Sequence, residues 1–302
     1  MLFSQFFLQF IKNIMQDVFN NIKHRENVDS SELTTIKTSV TLKNVFYPKN
    51  EKELIYLFDY FSINNLPFKI IGNGSNILLT ERACNVNIIS TKLLECKVRA
   101  QDGSIIAPCS IMLSRLYRYC QEKGLAGLEK LAGIPGTLGG AIFMNAGAFG
   151  CNITDHLTKV KIYSKGKVKW VKKEKLDFHY RESPFKDSLI LSAKFNLGEK
   201  DRCEIEREYR KYLTIRLNHQ PKGYSFGSTF KNAESYYAGE LIDKCGLKGL
   251  SCGGAKISKK HANFIINYNK ASVNDVLQLI KIIKDKVFQR YKVQLETEVE
   301  IF

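Results

Sequence analysis

The chain has 302 residues, 44% of them hydrophobic, which is enough for a sizeable core and suggests about two domains. Its formal net charge is +16, yet the lysines are scattered, with no dense basic block or nucleic-acid motif, so the charge argues for a solvated surface that steers small polyanions. Eight cysteines without a CxxC pair and five dispersed histidines argue against a disulfide framework or a metal site. They predict reduced thiols in a cytoplasmic protein, each cysteine a small buried hydrophobe.

Met1 to Asn20 carries Phe3, Phe7, Phe10, Ile11, Ile14 and Val18 at helical spacing, broken by polar residues and without a basic leader. It reads as an amphipathic helix or an extension, with at most a weak membrane-surface contact, and not as a signal peptide or a span. Val45-Phe46-Tyr47 is strand-like and ends at Pro48. Leu54, Leu57, Phe58 and Phe61 mark a helix over 51–61. Phe68 to Leu79 places Gly72-Asn73-Gly74-Ser75-Asn76 between two aliphatic runs, predicting strand, turn, strand. Val86 to Ser90 and Ile105-Ile106 read as further strands.

Leu113, Leu116, Tyr117 and Cys120 give a helix over 111–123, with Gly124 just past its end. The stretch that follows, GLAGLEKLAGIPGTLGGAIFMNAGAFG, sets glycine and alanine in an aliphatic frame, which suggests backbone brought close to packed chain or to a ligand. Gly133-Ile134-Pro135-Gly136-Thr137-Leu138-Gly139-Gly140 can turn successive N–H groups towards phosphate oxygens. The bland alternative is a buried turn. Two such loops together fit a diphosphate held between them, and neither is a Rossmann or P-loop fingerprint.

Lys159 to Val171 alternates around Lys165-Gly166-Lys167, a hairpin signal, and Leu189 to Leu197 is another strand. Glu204 to Leu217 has helical periodicity. Tyr237 to Cys245 predicts a helix closed by Gly246. Val273 to Tyr291 predicts a long amphipathic helix whose start is marked by Ser272 and Asp275. Alternation over Leu295 to Ile301 predicts a strand with Glu296, Glu298 and Glu300 on one face.

Six segments then stand in one order: GNGSN, GLEKLAGIPGTLGGAIFMNAGAFG, Tyr180-Arg181-Glu182-Ser183, GSTFKN, KISKKHANFIIN and LETEVEIF. Together they resemble the UDP-N-acetylenolpyruvoylglucosamine reductase family, from about residue 25 to the last residue, in its compact second type. The resemblance implies an α+β fold: a two-part FAD-binding region of the PCMH/vanillyl-alcohol-oxidase type over 25–200, with subdomains near 25–100 and 101–200, and a C-terminal α+β substrate domain over 201–302. Residues 1–24 would be an extension. It implies FAD as cofactor and NADPH as co-substrate. The substrate would be a UDP-linked enolpyruvyl amino sugar in peptidoglycan synthesis. No nucleic-acid partner and no stable membrane insertion are expected, and a monomer is favoured.

By that resemblance FAD is held by Gly72, Asn73, Gly74, Ser75, Asn76, Gly133, Ile134, Pro135, Gly136, Thr137, Gly139, Gly140, Ala141, Asn145, Ala146 and Gly147. Arg181 grips the enolpyruvyl carboxylate, as a guanidinium can with two parallel hydrogen bonds. Hydride adds to the terminal alkene carbon, Ser228 protonates the other carbon, and Glu298 faces the reacting centre, giving a lactyl ether. Tyr180, Arg216, Lys231, Asn232, Lys256, His261 and Asn263 line the substrate side, and for His261, which has no neighbouring Cys/His set, a structural hydrogen bond is the favoured role. Ser39-Val40 stand where the family carries Gly-Gly, which weakens the flavin contact expected there, and Asn232-Ala233 replaces Asn-Pro, which would loosen the Ser228 loop. The rivals are another FAD-dependent oxidoreductase, such as an alcohol oxidase lacking GSTFKN and KHANFIIN, and a basic nucleotide- or RNA-binding module. A flavin spectrum argues against the module, and bleaching by NADPH argues against an oxidase.

Overall fold

A computed structural model describes residues 21–101 and 104–302, so the helix or extension expected over 1–20 lies outside the described residues. The first block is a four-stranded sheet ordered His24–Asp29, Thr41–Phe46, Asn87–Ser90, Phe68–Ile71. Its first pair is antiparallel and the other two are parallel. The helix Glu51–Ile63 makes the crossover, with Leu54, Leu57 and Phe61 buried and the Asn50 side chain accepting from the Glu53 N–H at 3.0 Å. Strand His24–Asp29 is an addition to the sequence reading. Only Val28 in it is buried, so no apolar alternation marks it, as suits a solvated edge.

The second block is an antiparallel sheet ordered Lys167–Lys172, Leu157–Ser164, Leu189–Asn196, Ser104–Pro108, Arg99–Gln101. The expected hairpin closes through Lys165 and Gly166, both at positive φ (51° and 74°), which suits the twist of the flanking strands. Helix Leu113–Glu122 buries the four residues named for it. The Gly-rich stretch is several short pieces. Leu125–Ala126 pairs with Gly198–Glu199, and a helix runs over Leu138–Phe143, whose N-cap Thr137 hydroxyl accepts from the Gly140 N–H at 3.3 Å. Gly139 donates to the Cys109 carbonyl at 2.7 Å, an approach that a side chain would block.

Helix Arg202–His219 starts at Asp201, whose carboxylate accepts from two backbone N–H groups. It packs on the second block, with Tyr209 stacked on Tyr117 at 3.5 Å between ring centres. The remaining chain forms a small sheet of Ser251–Cys252, Ala255–Ile257 and Ile265–Asn267, with helices Ala238–Lys244 and Val273–Tyr291. Ser272 and Asp275 form the expected capping box.

The core divides into two main clusters, and the first block contributes to both. Phe46, Leu54, Phe61 and Ile89 join the second block, whereas Val28, Leu42, Val45 and Ile88 join Phe230, Ile257, Val276 and Ile283 of the C-terminal part. Of the eight thiols, none in a disulfide, only Cys109, Cys120 and Cys151 are fully buried. Cys96 and Cys203 are exposed, contrary to the uniform burial expected, because each lies on a surface connection or a helix start.

Candidate active site

The two glycine loops meet. Asn73 donates its amide to the Pro135 carbonyl, and a Cβ on Gly72 would collide with the Thr137 hydroxyl. Gly74, at φ +62°, lies against the Leu33 carbonyl, and its own carbonyl accepts from the Thr35 N–H at 3.1 Å. These glycines are required by neighbouring chain. Gly136 is different. A Cβ there would meet nothing closer than the Ser75 Oγ at 3.7 Å, and its φ lies outside the left-handed range. Protein packing does not explain a glycine at this position, so its bare backbone fits a bound group lying between the loops.

Three segments distant in sequence converge beside these loops. The Arg181 Nε donates to Glu298 Oε1 at 2.8 Å, with both side chains largely buried, and the Arg181 Nη2 donates to the Gly147 carbonyl at 3.3 Å. The Asn145 amide reaches the His179 carbonyl at 2.9 Å, which ties the Gly147 loop to the Arg181 turn. Asn145, Phe149 and Arg181 all hold positive φ, at 40°, 52° and 59°, and such backbone strain gathers where a site over-determines its geometry. The Ser183 hydroxyl, on the same turn, is buried without a hydrogen-bond partner. Burial raises the Glu298 carboxyl above its ordinary range, and this outweighs the lowering by Arg181.

Ser228 lies on the loop that reaches Glu298. The Glu298 N–H donates to the Thr229 carbonyl at 2.8 Å, and the Glu298 carbonyl accepts from the Asn76 amide at 3.0 Å. The uniform strand expected over Leu295–Ile301 is therefore not formed. Thr297 bridges Phe230, and only Glu300–Ile301 is a strand, parallel to Ile77–Leu78. Glu298 stands where the chain changes partners, which separates it from its neighbours. Glu296 pairs with Lys231 and Glu300 with Lys69, both more exposed than Glu298.

Arg216 comes from helix Arg202–His219. Its Nε donates to the Ala132 carbonyl at 2.7 Å, its side chain packs on Gly133, and its guanidinium lies over Phe149 at 5.7 Å. Burial first, then the Arg181 charge, lowers its pKa, so two cations approach one place, which favours an anion there. Tyr180 stacks on Arg181 at 4.8 Å, and its hydroxyl accepts from the Asn232 N–H at 3.4 Å.

The other expected residues are employed differently. Asn263 spends its side-chain amide on Phe230. His261 Nδ1 accepts from the Asn263 N–H at 3.3 Å, and burial lowers its pKa. Lys256 lies over the Tyr268 ring at 3.9 Å. The Asn232-Ala233 segment is held without proline: Asn232 Oδ1 accepts from the Ala238 N–H at 3.0 Å, and Ala233 exchanges hydrogen bonds with Tyr236. Ser39 accommodates the other departure by donating to the Asp29 carboxylate at 2.6 Å. Sequence reading missed Thr35, whose hydroxyl donates to the Ser225 carbonyl at 2.6 Å and so ties the first glycine loop to the Ser228 loop. Its surroundings read as an ordinary polar run, and no residue pattern announced it.

A family model described as the C-terminal domain of UDP-N-acetylenolpyruvoylglucosamine reductase matches residues 219–302, and an FAD binding domain model matches 42–172. A UDP-N-acetylenolpyruvoylglucosamine reductase from Thermosipho melanesiensis is 39% identical over 78% of this chain and 82% of its own length. One from Prochlorococcus marinus subsp. pastoris is 36% identical over 93% and 97%. This chain belongs to the UDP-N-acetylenolpyruvoylglucosamine reductase family. The crystal structure of such a reductase from Thermus caldophilus superposes with a TM-score of 0.79 at 30% identity, covering 93% of this chain and 99% of that one. The fold is accordingly the reductase family's α+β arrangement, an FAD-binding region followed by the family's C-terminal domain. No helix among the described residues is long and apolar enough to cross a membrane.

Proposed function

We propose that this protein reduces UDP-N-acetylglucosamine enolpyruvate to UDP-N-acetylmuramate with NADPH, using FAD, in peptidoglycan synthesis. The observation that carries the reading is the buried Arg181–Glu298 pair, set at the junction of the flavin loops and the Ser228 loop. Residues 25–200 hold the cofactor and residues 201–302 the substrate, while helix Arg202–His219 delivers Arg216 to the boundary. Unpaired thiols support a reducing, cytoplasmic setting.

Gly72 to Asn76, Gly133 to Thr137, Gly139 to Ala141 and Asn145 to Gly147 would hold the cofactor. Bound FAD would supply the two-electron relay from NADPH to the enolpyruvyl ether. Arg181 keeps the substrate carboxylate beside Glu298, with Tyr180 stacked beneath its guanidinium to fix the plane. The alkene gains hydride at its terminal carbon and a proton at the carbon bearing the ether oxygen and the carboxylate. Charge that develops on the carboxylate side is met by Arg181 and by Glu298, whose raised pKa suits it to share a proton there. The Ser228 hydroxyl gives the proton to the substituted carbon. Arg216 and Lys231 attract the diphosphate, and Asn232, Lys256 and His261 border the remainder of the substrate.

Anaerobic stopped-flow absorbance separates the two half-reactions. Ser228→Ala should leave flavin binding and bleaching by NADPH close to normal. Return of the flavin colour on adding the UDP-linked enolpyruvyl sugar should slow by at least ~10²-fold, the effect of losing a positioned acid. Wild-type reoxidation by that variant removes Ser228 from the chemistry.

A further inference from the structure

We infer that Asn263 is a positioning residue that sets the Ser228 loop and Glu298 as one unit, an inference that rests on the proposed reaction. Its side chain copies a strand partner: Oδ1 accepts from the Phe230 N–H at 2.9 Å, and Nδ2 donates to the Phe230 carbonyl at 2.8 Å. Its own carbonyl accepts from the Thr229 N–H at 2.8 Å. Asn263 therefore satisfies three backbone groups of two consecutive residues, Thr229 and Phe230, both wholly buried, where no water can replace it. The backbone of Thr229 then links two sides of the site. Its N–H faces Asn263, and its carbonyl takes the Glu298 N–H.

One residue back is Ser228, bridged to Phe264, the residue after Asn263. One step onward from Glu298 is Asn76 of the first glycine loop. A shift at Asn263 must accordingly move the proton donor and the carboxylate relative to the cofactor loop. Asn263 is also buried, so its amide serves Phe230 rather than the solvent-facing side of the site.

The test uses hydrogen exchange together with half-reaction kinetics. In the unaltered chain the Phe230 and Glu298 amides should exchange slowly and at matching rates, as members of one opening unit. Fast exchange at Phe230 overturns the clamp without any variant. Asn263→Asp keeps the size and the accepting oxygen and removes the donor to the Phe230 carbonyl. Exchange at Phe230 and Glu298 should rise about tenfold or more, the effect of losing one buried hydrogen bond. Flavin bleaching by NADPH should stay within about twofold, reoxidation by the UDP-linked sugar should fall at least about tenfold, and its solvent isotope effect should grow, since proton delivery is the step disturbed.

Asn263→Ser, too short to reach Phe230, should give the same pattern and replaces the Asp variant if a buried carboxylate prevents folding. An unchanged Glu298 amide, an unchanged reoxidation rate, or equal loss in both half-reactions overturns the inference. Failure of the unaltered protein to reoxidise with that sugar counts against the reaction instead, and the exchange measurements still decide the clamp.

Discussion

A Cβ at Gly136 would make only ordinary contacts, with Ser75 Oγ at 3.7 Å and Ile134 Cγ2 at 4.0 Å, and this separates it from Gly72, Gly74 and Gly139. Gly72, Gly74 and Gly139 are explained by Thr137, Leu33 and Cys109, so adding a side chain at any of them disturbs the fold itself. Gly136→Ala adds a methyl group in ordinary contact with Ser75 and Ile134. The variant should keep its thermal transition within a few degrees and purify with little or no yellow flavin. A folded, fully flavinated Gly136→Ala protein would show that nothing approaches the loop there. Gly74→Val is a poorer probe, since lost colour would follow from a disrupted loop. The sequence named both glycines and could not rank them, because the distinction lies in what a Cβ would meet. Glu298 follows the same logic. Its difference from Glu296 and Glu300 comes from a change of backbone partner that residue alternation does not encode.

Elements with their own periodicity or caps were legible. Helix Val273–Tyr291 was readable because its apolar face repeats over five turns and Ser272 and Asp275 announce its start. The hairpin at Lys165-Gly166 was readable because alternating residues flank a short loop whose glycine can hold positive φ. Strand His24–Asp29 was not, since an edge strand with one buried residue carries no alternation, and the pieces of the Gly-rich stretch are fixed by contacts with distant chain. The capping box also gives a measurable weight. Ser272→Ala removes the acceptor for the Asp275 N–H and should cost about 1 kcal/mol in denaturant unfolding, with faster amide exchange confined to the first turn of the helix. An unchanged midpoint and exchange pattern would mean that packing of Val276, Ile280 and Ile283 alone holds the helix start.

At the scale of the molecule the first block is the hinge of the design, since its sheet contributes to the cores on both sides. The C-terminal part is also stitched directly into the first glycine loop. Glu300 donates to the Asn76 carbonyl at 3.0 Å, Phe302 donates to the Leu78 carbonyl at 2.9 Å, and Thr80 donates to the Phe302 carbonyl at 2.6 Å. The Lys69–Glu300 ion pair is partly exposed and adds little. The three backbone bonds, at about 0.5–1.5 kcal/mol each, are the stronger link. A chain shortened by Glu300, Ile301 and Phe302 loses all three while keeping Arg181, Glu298 and Ser228. It should remain folded with a lower thermal midpoint and release FAD more readily in a dilution assay. Substrate reoxidation should suffer once flavin is restored in excess, because Asn76 then loses one of its two links to the Glu298 segment. Wild-type flavin retention in that shortened chain would show that Asn73, Thr35 and the Gly136 loop hold the cofactor loop without help from the last strand.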